Sequence, residues 1–82
     1  MSDWRSKVAL QNGEQLKHTG SRSRGFMAET DVDTYEIMDS QGTIVGSVTI
    51  EDHTAVRGFK RTMSLEQRDA AGTVIKSESW TV

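Results

Sequence analysis

Apolar and polar residues alternate along much of the chain with the two-residue period of β-strands. In the central third, one strand face would carry Tyr35, Ile37 and Val45. The other face would also be apolar, with Val32, Met38, Ile44, Val48 and Ile50. The last third repeats this character. Since both faces are partly apolar, each face of the predicted sheet needs a cover.

Three glycine turns separate these strands. Gly13, Gly42 and Gly72 stand 29 and 30 residues apart. Asp39 and Asp69 each precede their glycine by three residues, so the second and third turns belong to a repeated hairpin. An Asp that accepts backbone hydrogen bonds and a glycine at positive φ favour a type I turn followed by a bulge. The cross-strand pairs that this turn predicts are Met38–Ile44, Ile37–Val45, Leu65–Ser77, Glu66–Lys76 and Gln67–Ile75.

The first turn has two interpretations. A longer turn at Gly13 sets Val8 against Leu16 and gathers them with Trp4 and Leu10 on one face, which favours a third hairpin. The alternative is a short helix over residues 3–11 that ends just before this glycine. We take the hairpin as the main expectation because it collects the apolar side chains.

The pattern predicts an all-β fold in which six antiparallel strands form a meander of three consecutive hairpins. Closure into a small barrel or a strongly curled sheet would protect the strand edges. The 82 residues are enough for a single domain, residues 1–82, with turns near Gly13, Gly42 and Gly72. A chain this short buries a thin core, so self-association as a homodimer is expected to add stability.

Composition narrows the functional classes. Ten Lys and Arg against twelve Asp and Glu give a net charge of -2, which excludes a surface tuned as a whole to polyanions. The chain has no cysteine, so it has neither disulfides nor thiolate metal ligands. No stretch has the apolar length of a membrane span, and the N-terminus has no signal-peptide pattern. These features predict a soluble, cytoplasmic protein without membrane contact.

The two segments between hairpins are the best candidate for a ligand site. Residues 18–26 and 53–59 both run His-Thr, a spacer, and then Arg-Gly-Phe. In a meander both segments emerge at the end opposite the glycine turns. Guanidinium groups beside flexible glycine backbone suit phosphate or carboxylate. The candidate ligand-binding residues are His18, Arg22, Arg24, His53, Arg57, Lys60 and Arg61. The same motifs are also explained as structural corners of the sheet.

Catalytic chemistry has little support in the sequence. The histidine pair has no spaced third ligand for a metal, no serine lies in a nucleophile elbow, and no phosphate-binding loop is present. We therefore expect no enzyme activity, no cofactor and no metal. The leading hypothesis is a small non-catalytic interaction module that binds a protein partner or itself through an apolar sheet face. The alternative is a binder of an anionic ligand or single-stranded nucleic acid at the basic loop end.

Overall fold

The computed structural model of the chain describes residues 4–25, 28–55 and 60–81. A short 3-10 helix at Trp4–Lys7 comes first. The strands are β1 (Gln15–Gly25), β2 (Ala28–Met38), β3 (Ile44–Ala55), β4 (Arg61–Asp69) and β5 (Val74–Thr81). They form one antiparallel sheet in the order β1-β2-β3-β4-β5, so each strand pairs with its neighbours in sequence. No helix in these ranges is both long and apolar enough to cross a membrane.

The all-β, antiparallel meander is confirmed, but two parts of the prediction are wrong. Among the described residues the sheet has five strands instead of six, and it stays open instead of closing into a barrel. The difference lies before Gly13: residues 4–11 form a four-residue 3-10 helix and a loop, which is neither the predicted strand nor the alternative helix over residues 3–11. The four-residue 3-10 helix and the loop after it fold back onto the sheet instead.

The turn at Gly13 carries the chain from this folded-back segment into β1. The glycine has a φ of 86°, in the region where a side chain is strained. The backbone N–H of Glu14 donates to the carbonyl of Gln11 at 3.0 Å, and the Glu14 carboxylate accepts from the Gln11 N–H at 2.8 Å. The predicted turn chemistry is therefore used to reverse the chain, but no hairpin strand precedes it.

The turn between β2 and β3 depends on Asp39. Its Oδ1 accepts from the backbone N–H of Gln41 and of Thr43, both at 2.9 Å. Its own N–H donates to the Thr43 carbonyl at 2.9 Å, and Gly42 closes the turn with a φ of 82°. The side chain thus organises the loop before the strands begin to pair.

The turn between β4 and β5 repeats this arrangement bond for bond. The Oδ1 of Asp69 accepts from Ala71 and Thr73 at 3.0 Å, and its N–H donates to the Thr73 carbonyl at 3.0 Å. Gly72 has a φ of 86°. The internal repeat seen in the sequence is therefore also a repeat of structure.

A bulge follows each of these two turns, so most of the predicted register is wrong by one residue. Of the predicted pairs, Met38–Ile44 is confirmed. The observed pairs that replace the others are Ile37–Gly46, Leu65–Glu78, Glu66–Ser77 and Gln67–Lys76. The sequence predicted a bulge after each turn, but the predicted pairs leave no residue over, whereas each returning strand has one extra residue, Val45 or Ile75, after its first pair. Glu66 consequently contacts Arg68, and Lys76 lies near Glu78.

The core lies on one side of the sheet, which we call the covered face. Its buried residues are Ile37 of β2, Val48 and Ile50 of β3, Leu65 of β4, and Val8. Val8 belongs to the N-terminal segment, defined as residues 4–14. Because this valine is only 7% exposed against three central strands, the segment supplies the cover that barrel closure would otherwise have provided.

Polar contacts fix the N-terminal segment on the covered face. The amide of Gln67, itself 2% exposed, accepts from the Ala9 N–H and donates to the Ala9 carbonyl, each at 2.9 Å. Lys76 of β5 donates to the backbone carbonyl of Lys7. The ammonium of Lys7 lies 4.9 Å from the ring centre of Trp80. The segment is therefore tied to β4 and β5 as well as packed on the middle of the sheet.

The opposite side of the sheet, the open face, is rich in hydroxyl groups. Residues directly opposite each other in neighbouring strands share a face, which assigns this side from the strand register. Its serine and threonine residues are Thr30, Thr34, Ser47, Thr49, Thr62, Ser64, Ser77, Ser79 and Thr81. Most of the apolar content that the sequence suggested for both faces is thus on the covered one, but Val32, which is 2% exposed, lies on the open face.

Candidate functional site

Most residues of the two predicted connecting segments belong to strands in the structure. His18–Gly25 belongs to β1 and His53–Ala55 belongs to β3. The connections themselves are residues 26–27 and 56–59, which lie outside the described residues together with Arg57. Both connections leave the sheet at the end opposite Gly42 and Gly72. The His-Thr steps are therefore strand residues, because β1 continues past a bulge at Thr19 instead of ending there.

The two histidines lie on opposite faces of the sheet. His18 is opposite Tyr35 on the covered face, and His53 is opposite Thr30 on the open face. The row through His18 crosses β3 at Val48, five residues before His53. At about 3.3 Å per residue the two rings are therefore separated by roughly 16 Å along the strands. The structure does not bring them to one site.

Each histidine contacts a side chain on its neighbouring strand. The Nε2 of His18 lies 3.3 Å from a carboxylate oxygen of Asp33, and its ring centre lies 5.0 Å from that of Tyr35. The Nδ1 of His53 shares a 2.7 Å hydrogen bond with the hydroxyl of Thr30. These contacts order both rings within the sheet.

Arg61 is engaged by a carboxylate. Its Nε donates to both oxygens of Asp52, at 2.8 and 3.0 Å, and its Nη2 also donates to Asp52. The hydrogen bond from Arg61 is the main reason that the pKa of Asp52 is held below its ordinary value of 3.8. The guanidinium fork that was predicted to hold a phosphate is occupied by a residue of the chain itself.

The other predicted basic residues lie on β1 and just before β4 in the described part of the chain. Arg22 is exposed on β1, opposite Val32 on the open face. Arg24 pairs through its backbone with Thr30, one step nearer the end of the strand. Lys60 is exposed before β4, and its carbonyl accepts from Ala55 at 2.9 Å. Arg22 therefore lies on the face opposite that of Arg61.

A row of carboxylates occupies the covered face beyond the N-terminal segment, and sequence analysis missed it. Asp31 and Asp33 of β2 share this face with Asp52, which lies directly opposite Asp31. Ser23 donates to Asp31 at 2.7 Å. The signal was the spacing of two residues in Asp31-Val32-Asp33, which places both carboxylates on one side of a strand. In the described ranges, however, no group of three such side chains could hold a metal ion.

β5 forms one edge of the described sheet, and most of its residues are exposed. This strand pairs only with β4. Ile75 is 56% exposed and Val74 is 43% exposed. Further along the strand, the exposed residues are Ser77, Glu78, Ser79 and Thr81. Sequence analysis placed the last strand correctly but, by expecting closure, did not predict this edge.

Comparison of the chain with known protein families, with curated proteins and with solved structures finds no match. A function is therefore inferred from the surfaces of the sheet. Two strand edges are open along the described sheet, the outer sides of β1 and β5. They differ in chemistry, and this difference decides between them.

Proposed function

We propose that the chain is a non-catalytic interaction module that binds an extended segment of a protein partner along the outer edge of β5. The observation that carries the proposal is the unpaired edge of this strand. An edge strand presents backbone N–H and C=O groups that an added strand can satisfy. Binding by strand addition needs little side-chain specificity, and it fits a sheet whose chemistry is mostly hydroxyl groups and paired charges.

The packing of the covered face favours an edge over a face. Val8 and the half-buried Trp4 already lie on the apolar centre of the sheet. A partner on that centre would have to displace the N-terminal segment, including both hydrogen bonds between Gln67 and Ala9. The edge of β5 requires no displacement. The proposed function is still that of an interaction module, but its contact surface is the strand edge instead of the apolar face.

The edge of β1 is a poorer template. Its ladder is interrupted by a bulge between His18 and Gly20, and a bulge twists an edge away from regular pairing. It also carries Lys17 and Arg22, both exposed, whose charges protect an edge against strand addition. In β5 the register is regular from Lys76 to the end of the strand. The two edges thus predict one binding side and one protected side.

A peptide titration tests strand addition without knowledge of the natural partner. The probe is a synthetic peptide with the sequence of residues 74–81 in which glutamine replaces Lys76 and Glu78, so that docking depends on backbone and apolar contacts. We expect amide shift changes in β5 and β4 of the isotope-labelled chain, with β1 unchanged.

The matched control is the same peptide N-methylated at alternate residues, which removes the donors that face the edge. Loss of the shift changes with this control is the expected result. Equal shifts from both peptides, shifts centred on β1, or no shifts at millimolar peptide would refute the proposal.

A further inference from the structure

We infer that the strand added at this edge is β5 of a second copy of the chain, in an antiparallel register centred on Ser77. The inference rests on the proposed function and names its partner. Two copies paired in this way form one continuous sheet of ten strands related by a two-fold axis. The axis passes between the two copies of Ser77.

The charge pattern of β5 selects this register. Lys76 and Glu78 flank Ser77 and share the covered face, because they lie opposite Gln67 and Leu65. Antiparallel pairing about Ser77 sets Lys76 opposite the partner's Glu78, and the symmetry repeats the pair. Both contacts then join opposite charges across strands, which stabilises a pair of strands. A single Lys-Ser-Glu segment thus supplies two complementary contacts to its own copy.

Neighbouring registers lose this complementarity. An axis through Glu78 would set this carboxylate against its own copy, which is a like-charge contact. An axis through Ser79 would set Glu78 opposite the partner's Trp80 and leave Lys76 beyond the paired strand. The Ser77 register keeps cross-strand partners on one face from Lys76 to Glu78; beyond them, the bulge at Ile75 puts Val74 and Trp80 on opposite faces.

The size of the contact predicts a weak dimer. Pairing one strand with its copy buries less surface than the interface of a stable complex, about 1,200 Å² or more. Its affinity should therefore depend on the two charge pairs and fall as salt screens them. At β1, by contrast, self-pairing would bring exposed lysine and arginine side chains together.

Charge-reversal variants test the register. Glu78→Lys sets lysine against lysine at both contacts and should weaken dimerisation about tenfold, measured by sedimentation equilibrium of the full chain. Lys76→Glu should do the same by setting glutamate against glutamate. The variant that carries both changes has the reversed but complementary pattern, and it should regain the wild-type affinity. Glu36→Lys on β2 is the control for net charge and should leave dimerisation unchanged.

A mixture of the two single variants gives a second readout. At positions 76 and 78, one chain then has two lysines and the other has two glutamates. Lysine therefore lies opposite glutamate at both contacts of the mixed dimer. We expect the mixture to associate more tightly than either variant alone, with amide protection confined to β5. A wild-type chain that stays monomeric, Glu78→Lys dimers as tight as wild type, or a double variant without rescue would overturn the inference.

The same results separate the two proposals. If the uncharged peptide shifts the amides of β5 but the chain does not dimerise, strand addition stands and the second copy is the wrong partner. If neither the peptide nor a second copy affects β5, both proposals fail. Circular dichroism of each variant checks that Lys76→Glu, which also removes a contact to Lys7, remains folded.

Discussion

At the scale of single residues, Gln67 shows how a polar side chain stabilises an apolar interior. Its carboxamide has one acceptor and one donor directed at the same backbone residue, and it lies 2% exposed beside Val48. Both groups are satisfied by Ala9, at 2.9 Å each. Buried polar groups are tolerated when they are hydrogen-bonded, and here the bonds also position the N-terminal segment.

Replacement of this amide should destabilise the chain. Gln67→Leu leaves the N–H and C=O of Ala9 without their partner, so the free energy of unfolding should fall by about 1–3 kcal/mol. Urea denaturation measures the change, with Gln41→Leu in an exposed turn as the control for an added apolar side chain. Equal stability of the two variants would contradict the role assigned to Gln67.

The ion pair between Asp52 and Arg61 predicts a pH dependence. The pKa of Asp52 is lowered in the folded state, so the pair stabilises the fold above the unfolded value of 3.8. That contribution should disappear as the pH falls through the lower, folded-state pKa. We expect Asp52→Asn to lose this part of the acid dependence of the unfolding free energy, measured between pH 6 and pH 2. An identical pH profile for Asp33→Asn would show that the effect is not specific to Asp52.

At the scale of strands and turns, the two aspartate–glycine hairpins are alike. Two positions in and near them require glycine for different physical reasons. Gly72 has a positive φ and no atom within 4 Å of the place where a Cβ would stand. Gly46 lies in the middle of the sheet, where a Cβ would come within 2.6 Å of the Arg68 carbonyl oxygen. One glycine therefore relieves backbone strain, and the other permits a close approach between β3 and β4.

Alanine at these two glycines should separate strain from crowding. Gly72→Ala should cost about 1 kcal/mol of unfolding free energy, the usual penalty for a side chain at positive φ. Gly46→Ala should cost more than 2 kcal/mol, because the carbonyl that it meets belongs to the backbone and cannot turn aside. Thermal denaturation of both variants gives the order of the two effects. A larger loss at Gly72 would contradict this explanation.

The turns were predictable from the sequence, whereas the register was not. Asp39 and Asp69 bond to the loop through their own side chains, and such local contacts leave a sequence signature. The sequence also indicated a bulge after each turn, but not which residue it leaves out of the pairing, so most of the predicted register is one residue off. The same limit applies to the candidate site. The sequence identified basic residue types, but the bulge at Thr19 and the strand pairing decide which face His18 occupies.

At the scale of the whole molecule, a segment from the start of the chain covers a sheet built from the rest. The distribution of apolar residues predicted that each face of the sheet needs a cover, and the N-terminal segment covers one of them. It did not distinguish closure of the sheet from a separate covering segment, because both solutions bury Val8 and Leu16 equally well. Only the packing of Val8 on Val48, Ile50 and Leu65 resolves the choice.

A charge placed beneath this cover should be far more damaging than one placed beside it. Val8→Asp puts a carboxylate among buried apolar side chains and should lower the free energy of unfolding by more than about 3 kcal/mol. Leu10→Asp changes a residue that is 40% exposed and should have a small effect. Chemical denaturation and the binding of a hydrophobic dye measure both. Similar losses for the two variants would mean that the N-terminal segment does not form part of the core.

The placement of this segment also sets an order of events when the protein is made. Residues 4–10 leave the ribosome before Gln67 and Lys76, which bond to Ala9 and Lys7. Until both have emerged, the N-terminal segment lacks these hydrogen-bond partners on the covered face. The apolar side chains of the strands made before them are then accessible to chaperones. The N-terminal segment therefore reaches its final position only after β4 and β5 have been made.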